Sequence, residues 1–340
     1  MPLVSVVIPT RNRAQVVLRA IRSVLAQTYK QLEIVVVIDG QDPLTTAALA
    51  DIRDDRLRWI EVKESVGGSE ARNIGFRNAT GDWVALLDDD DEWLPTKLEE
   101  QMSVARTAPH NCLIVTRFLD KRTNAQIVLP GRYLRPGQPI SEYLFCETSL
   151  LGFRNGFLQT STWLAPRGIF LKVPFTKGLP RNQETDWLLR AAGLLNLEIL
   201  VVWRTLAIFH NEESAGRITS MSNWRDTVNW ALSPGLFTPK ALFFFFAIVT
   251  IPAARLTGEP LSVFWHQLRI ACQHGRPTLR SAWLFVAAWC VFPYGRFGVR
   301  SKLQHFLNLR VHSERPIRPT PLSSDTDSSS LRLHSSERLP

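Results

Sequence analysis

The sequence predicts an α/β domain, a mostly parallel sheet flanked by helices, followed by a C-terminal helical region and a disordered tail. Three observations carry this reading. Short β-branched runs alternate with stretches whose apolar residues recur at helical spacing, the pattern of β-α-β units. The early strand-like runs are almost continuously apolar, as strands covered on both faces must be. Polar and acidic residues gather where those runs end rather than along them.

The elements follow in order. VSVVIPT (4–10) is a strand stopped by Pro9, and the next stretch sets Val16, Val17, Ala20, Ile21, Val24 and Leu25 at helical spacing. LEIVVVIDG (32–40) is a second strand closing on Asp39 and Gly40. TTAALADIR (45–53) is helical and LRWIEV (57–62) is a third strand. A Gly67-Gly68 turn leads into the helix EARNIGFRNAT (70–80) and the strand DWVALLD, which delivers an acidic cluster to its carboxyl end. In open α/β sheets ligands sit beyond the carboxyl ends of the strands, where Thr10 to Arg13, Asp39 and Asp88 to Asp91 are expected to meet. Further on, CLIVTRFL and LEILVVW read as strands and RNQETDWLLRAAG (181–193) opens a helix. The expected organisation is one domain in two halves, 1–110 and 111–230, then a helical region 231–312 and a tail 313–340 that lacks apolar periodicity.

Composition narrows the classes. Apolar residues make up 45% of the chain and charged residues 21%, which excludes a chain disordered throughout and a polytopic membrane protein. The formal charge of +9 favours an anionic partner: a phosphorylated substrate, a nucleic acid or an acidic lipid surface. Cys112, Cys146, Cys272 and Cys290 are far apart and form no C-x-x-C pair. That pattern suggests neither a zinc site nor a disulfide framework and fits a reducing compartment. MPLVSVVIPTRN enters the first strand directly, so no signal peptide is expected.

GDWVALLDDDDEWLPTKL (81–98) sets four aspartates and a glutamate directly after an apolar run. Adjacent carboxylates raise one another's pKa unless a cation intervenes. Oxygen-only ligands suit a hard divalent ion, Mg²⁺ or Mn²⁺, that shares phosphate oxygens and water. The competing reading is a solvated loop, with Asp91 and Glu92 at the N-terminal dipole of a helix beginning near Leu94.

SVVIPTRNR, then QTY before LEIVVVIDG, then GGSEARNIGFRNATGDWVALLDDDDEWLP, in this order and spacing, resemble the N-terminal half of the family 2 glycosyltransferases. The likeness is close over residues 3 to 100 and looser over 150 to 230. It implies a GT-A Rossmann-like fold, inverting chemistry and a nucleotide-diphosphate sugar donor, by family habit a UDP-sugar. It also implies a divalent metal at a D-x-D element and a carboxylate base for the acceptor hydroxyl. On that resemblance residues 1–110 form the donor half and 111–230 the acceptor half.

Carried over residue by residue, Pro9, Thr10 and Arg11 line the nucleotide base pocket and Asp39 accepts from the base. Gly67 and Gly68 let the backbone approach the donor, although a plain turn explains them equally well. Arg72 contacts donor phosphate or sugar oxygens. Asp88 and Asp90 match the outer acids of D-x-D, Asp88 facing the ribose or the metal shell and Asp90 binding the metal, with Asp89 at the variable middle position. RNQETDW is similar to the family's base motif, with Glu184 as base and Asp186 as a supporting group, the choice between them open. His210 completes the metal shell or touches a phosphate, with a structural histidine as the alternative. Ile38 stands where many relatives have an acid, and Q-x-x-R-W, the mark of processive synthases, is absent from the sequence; a single addition per event is expected.

Two aromatic-rich segments, 241–256 and 281–295, have apolar cores of 13 or 14 residues, shorter than the roughly 20 a spanning helix needs. They are expected to be buried or interfacial. Between Arg255 and Arg318 the only acids are Glu259 and Glu314, among many cations and aromatics. That composition suits peripheral contact with an anionic membrane. A helical cap on the catalytic domain accounts for the aromatics equally well. The expected acceptor is a glycan or a polyprenyl-linked sugar, made into cell-envelope polysaccharide, and no nucleic-acid partner is expected. The expected location is the cytoplasm, or the cytoplasmic face of the inner membrane. A sugar nucleotidyltransferase would need a G-x-G-T-R loop after the first strand, and an aspartate-nucleophile phosphatase D-x-D-x-[TV] near it; IPTRNR is neither. A non-catalytic membrane- or polyanion-binding protein would explain the charge but not the ordered acidic sites.

Overall fold

Strand β1 (Val4–Thr10) lies between β2 (Leu32–Asp39) and β4 (Trp83–Leu86), and β3 (Leu57–Val62) flanks β2, all four parallel. The computed structural model describes residues 1–122, 125–146, 156–211 and 224–290; the expected tail at 313–340 and the end of the 281–295 segment lie outside them. Strands β1, β2 and β4 are buried on both faces with the period of two that pleating imposes, whereas the edge strand β3 stays partly exposed. Ile34, Val36 and Ile38 pack with Val17, Ile21 and Val24 of α1 (Ala14–Leu25), while Val35 and Val37 pack with Ala71 of α3 (Gly68–Asn78). Between them, α2 (Pro43–Ala50) starts two residues earlier than expected, because Asp42 caps it through the Thr45 amide and Pro43 occupies its first turn. Strand order reverses at β1, so the crevice for a ligand opens at the carboxyl ends of β1 and β4. Helix α3 approaches closely at Gly75, where a Cβ would stand 2.3 Å from Val7 Cγ1.

Chain order then gives β5 (Glu92–Trp93), α4 (Lys97–Ala105), β6 (Cys112–Arg122), β7 (Ala125–Leu129), α5 (Ile140–Cys146), β8 (Leu164–Pro166), α6 (Arg167–Lys172), α7 (Gln183–Leu195) and β9 (Glu198–His210). The sheet continues from β4 through β8, β6 and β9 to β5, with β8 antiparallel to both neighbours and β6 parallel to β9. The residues after the acidic run are not the helix start expected near Leu94. Glu92 and Trp93 form a two-residue ladder with Ile208 and Ala207, and Pro95 disfavours the helical conformation at Leu94, so α4 begins only at Lys97.

The C-terminal region comprises α8 (Trp224–Ala231), α9 (Pro239–Phe245), a π-helical segment (Phe246–Thr250), α10 (Ile251–Leu256), α11 (Leu261–His274) and α12 (Leu279–Cys290). The helical run Pro239–Leu256 has 18 residues, long and apolar enough to cross a membrane, and exceeds the 13 or 14 expected; 67% of it is nevertheless buried inside the protein. Pro252, which offers no amide to the preceding turn, is separated from the end of the π segment by Ile251 alone. Phe245 packs against Phe145 and Trp230, and Phe243 against Phe285. One core cluster runs from Val7 and Phe76 through Trp187 to Phe246 and Phe285, so packing does not break at residue 230.

Candidate active site

Asp39, buried at the end of β2, accepts from the Val66 amide at 2.6 Å, the Gly67 amide at 3.0 Å and the Ser65 hydroxyl at 2.9 Å. Three of about four acceptor positions of a carboxylate are thus committed to the loop before α3; the lone pair still open is on Oδ1. Arg11 reaches over the same loop, Nη1 donating to Ser65 Oγ at 2.7 Å. Gly67 has φ +84, which a side chain would strain, and Gly68 faces Gln183 Oε1 and Arg72 Nη1. The strand-end residues and the glycine turn therefore form one bonded rim.

The quartet's charge is met by the chain's own cations. Arg13 Nη1 donates to Asp89 Oδ1 at 3.0 Å and Asp90 Oδ2 at 3.2 Å, and Arg19 Nη2 to the Asp90 carbonyl at 2.7 Å. Thr10 Oγ1 donates to Asp89 Oδ2 at 2.7 Å. Burial pushes Asp89 up to about 6, Arg13 and Thr10 opposing, Asp90 and Asp88 reinforcing. Asp91 does not sit at a helix dipole. It is fully buried and accepts from Gln159 Nε2 at 2.5 Å and Ser161 Oγ at 2.6 Å. Two of the four acids thus build the turn, and Asp88 and Asp90 are the more open pair, at 23% and 15% of the side chain.

Arg72 joins the two halves. Its Nη2 donates to Asp88 Oδ1 at 2.6 Å and stands 3.5 Å from Glu184 Oε1, while Nη1 donates to Gln183 Oε1 at 3.0 Å. The guanidinium is buried over the Phe175 ring, itself stacked on Trp187, which fixes its plane. Burial works against the Arg72 charge, but Asp88 and Glu184 hold its pKa above the ordinary value. Glu184 keeps 35% of its side chain open to the cleft. Withdrawal from bulk water raises its pKa, Arg72 opposing and Asp88 reinforcing.

Asp186 is elsewhere. Residues two apart on a helix point about 200° apart, and Asp186 faces inward, accepting from Thr176 Oγ1 at 2.7 Å, Arg190 Nε at 2.9 Å and Trp230 Nε1 at 2.9 Å. Expected as the base or as its supporting group, Asp186 ties α7 to α8 and to the segment preceding α7.

His210, at the end of β9, is buried with Nε2 3.3 Å from Glu92 Oε2. Among the described residues no three His, Cys, Asp or Glu side chains converge as a metal-holding group, so the structure does not gather His210 with Asp88 and Asp90. The two open carboxylates still fit a hard divalent ion of the kind that takes one or two protein oxygens and completes its shell with phosphate and water. Arg19, Gln159 and Ser161 are residues around the acids that the sequence reading missed, and Arg13, which it places at the strand ends, is given no role in it. Only Arg13, within the loop after β1, carried a signal that could have singled it out.

A family model described as glycosyl transferase family 2 matches residues 5–163. An uncharacterized glycosyltransferase of Rickettsia felis is 32% identical over 230 residues, 64% of this chain and 36% of that protein. The chain thus spans about a third of the length of the first curated relatives it matches. The putative colanic acid biosynthesis glycosyl transferase WcaA of Escherichia coli K12 is 37% identical over 192 residues, 56% of this chain and 66% of its own length. Among solved structures, TarS of S. aureus is similar with a TM-score of 0.57 and 18% identity, covering 84% of this chain and 52% of TarS. A TarS fragment, 1–349, crystallised with UDP-GlcNAc, has a TM-score of 0.50 and 16% identity over 86% of this chain and 73% of its own. At such identities the likeness is one of fold.

Proposed function

We infer the activity from one premise: this chain belongs to glycosyltransferase family 2. It moves a sugar from a nucleotide-diphosphate donor to a hydroxyl of a glycan or polyprenyl-linked acceptor, one sugar per event, with inversion at the anomeric carbon. A UDP-sugar is favoured because the structurally similar TarS binds UDP-GlcNAc. A role in envelope polysaccharide synthesis is supported by the likeness to WcaA.

The observation that carries the reading is the Arg72 guanidinium. One nitrogen within 3.5 Å of both Asp88 and Glu184 sets a donor-side acid and a solvent-accessible carboxylate against the same cleft. In this reading Pro9, Thr10 and Arg11 line the base, the open lone pair of Asp39 receives its N–H, and the Gly67-Gly68 turn admits the backbone close to the donor. Asp90 and Asp88 would hold a divalent ion, whose positive charge would offset the negative charge of the departing diphosphate. Glu184 accepts the acceptor hydroxyl's proton as that oxygen becomes the nucleophile, and Arg72 fixes the carboxylate's orientation while keeping it ionised. Positioning by Arg72 and its aromatic floor is the larger part of what the chain contributes.

Glu184→Gln is expected to lower kcat by about 10² to 10⁴ and leave donor binding near its starting value, measured as nucleoside diphosphate release with acceptor present. Because the carboxylate must be ionised to act and its pKa lies above the ordinary value, kcat/KM should rise with pH through that raised pKa. The acid limb should vanish in Glu184→Gln. Undiminished turnover in that variant would rule out Glu184 as base.

A further inference from the structure

We propose that α12, with Leu256 and the first half of α11, docks this protein on the surface of an anionic bilayer. The inference does not rest on glycosyl transfer and holds or fails independently of it. Helix α12 is apolar on both sides. Ser281, Leu284, Phe285 and Ala288 face the protein, whereas Leu279, Trp283, Val286 and Cys290, spaced four, three and four residues apart, are exposed. A helix apolar all round is ordinarily covered all round, and this one is covered on a single face.

The exposure is concentrated rather than scattered. Of the thirteen large hydrophobic side chains exposed among the described residues, Leu256, Leu261, Trp265, Leu279, Trp283 and Val286 fall in this one region. Phe264, which packs on Phe285 and Trp289 at 5.4 Å, brings α11 beside α12, and the exposed Trp265 stands next to it. An apolar patch flanked by indoles is what the bilayer interface accepts. Its twelve residues are about 18 Å long, too short for the roughly 30 Å hydrocarbon layer, so α12 would lie in the interface plane.

The charge decides which surface. From Arg255 to Cys290 the sequence carries four arginines, Arg255, Arg269, Arg276 and Arg280, and one acid, Glu259. Glu259 is itself held by Arg225 Nη1 and Trp224 Nε1, each at 2.9 Å. The excess is positive, which fits an anionic headgroup layer at about 1 kcal/mol per cation near the surface. A second copy of this chain would present the same excess and repel it.

Flotation of the full chain with vesicles tests this. The protein should float with phosphatidylcholine containing phosphatidylglycerol and stay down with phosphatidylcholine alone. Val286→Glu should cut the bound fraction about tenfold while the thermal unfolding midpoint of the free protein is kept. In case the charge disturbs folding, a polarity-sensitive dye on Cys290, with Cys272→Ser, should shift to the blue on anionic vesicles in an otherwise native chain. Flotation with neither vesicle, equal flotation with both, undiminished flotation of Val286→Glu, or a dye that ignores vesicles overturns the proposal. So does a dimer that Val286→Glu dissolves, which would give the face to a second copy.

Discussion

At the scale of single residues, two aspartates show how environment assigns roles to identical side chains. Asp186 gives its carboxylate to a hydroxyl, an indole and a guanidinium from three separate segments. Asp186→Ala leaves the buried Trp230 indole N–H without its acceptor and should cost about 1 to 3 kcal/mol in a denaturant titration, with far less effect on kcat than Glu184→Gln. Asp89 carries a pH dependence. Its folded pKa of about 6 exceeds the ordinary 3.8, so the native state holds the proton more tightly than the unfolded chain. Its contribution is therefore most favourable below the ordinary value and is lost as pH rises through the folded one. Without donor or metal, the stability of Asp89→Asn relative to the parent should gain roughly 2 to 3 kcal/mol between about pH 4 and pH 6. The D-x-D outer pair was legible as a motif. That Asp91 would be spent on Gln159 and Ser161 was not, because a buried hydrogen bond across 68 or 70 residues leaves no local pattern.

At the scale of elements, the parallel strands and α1 were readable because both their faces are set by spacing alone. The register of β8, three residues long, and β5, two residues long, was hidden. Such short strands have no period to detect, and each exists only because a longer partner is already in place. The tight seat of α3 on β1 is the contact the donor rim leans on. Gly75→Ala would drive a methyl into Val7 and should cost about 1 to 3 kcal/mol, read as a lower denaturation midpoint. Asn73 holds the far end of that seat, exchanging two 2.9 Å hydrogen bonds with the Phe175 backbone.

At the scale of the whole molecule, composition suggested a boundary near 230, and the packing crosses it. Trp230, Phe237 and Phe245 form one aromatic contact set with Phe145. A chain ending at Trp230 would lack Phe237 and Phe245 and leave Phe145 and Trp230 without their ring partners, and recovery of soluble, cooperatively unfolding protein should fall to a small fraction of the full-length yield. The helices that follow thus belong to the body that holds the cleft. Charge asymmetry marked the region as distinct, whereas only coordinates could separate the inward stripe of α12 from the outward one.

Arg72 sits on an element of the first half yet grips Gln183 and Glu184 at the head of α7. It works as a latch. Any parting of these two walls has to break that guanidinium's hold on one flank, together with the Asn73 bonds to the Phe175 backbone along the same seam.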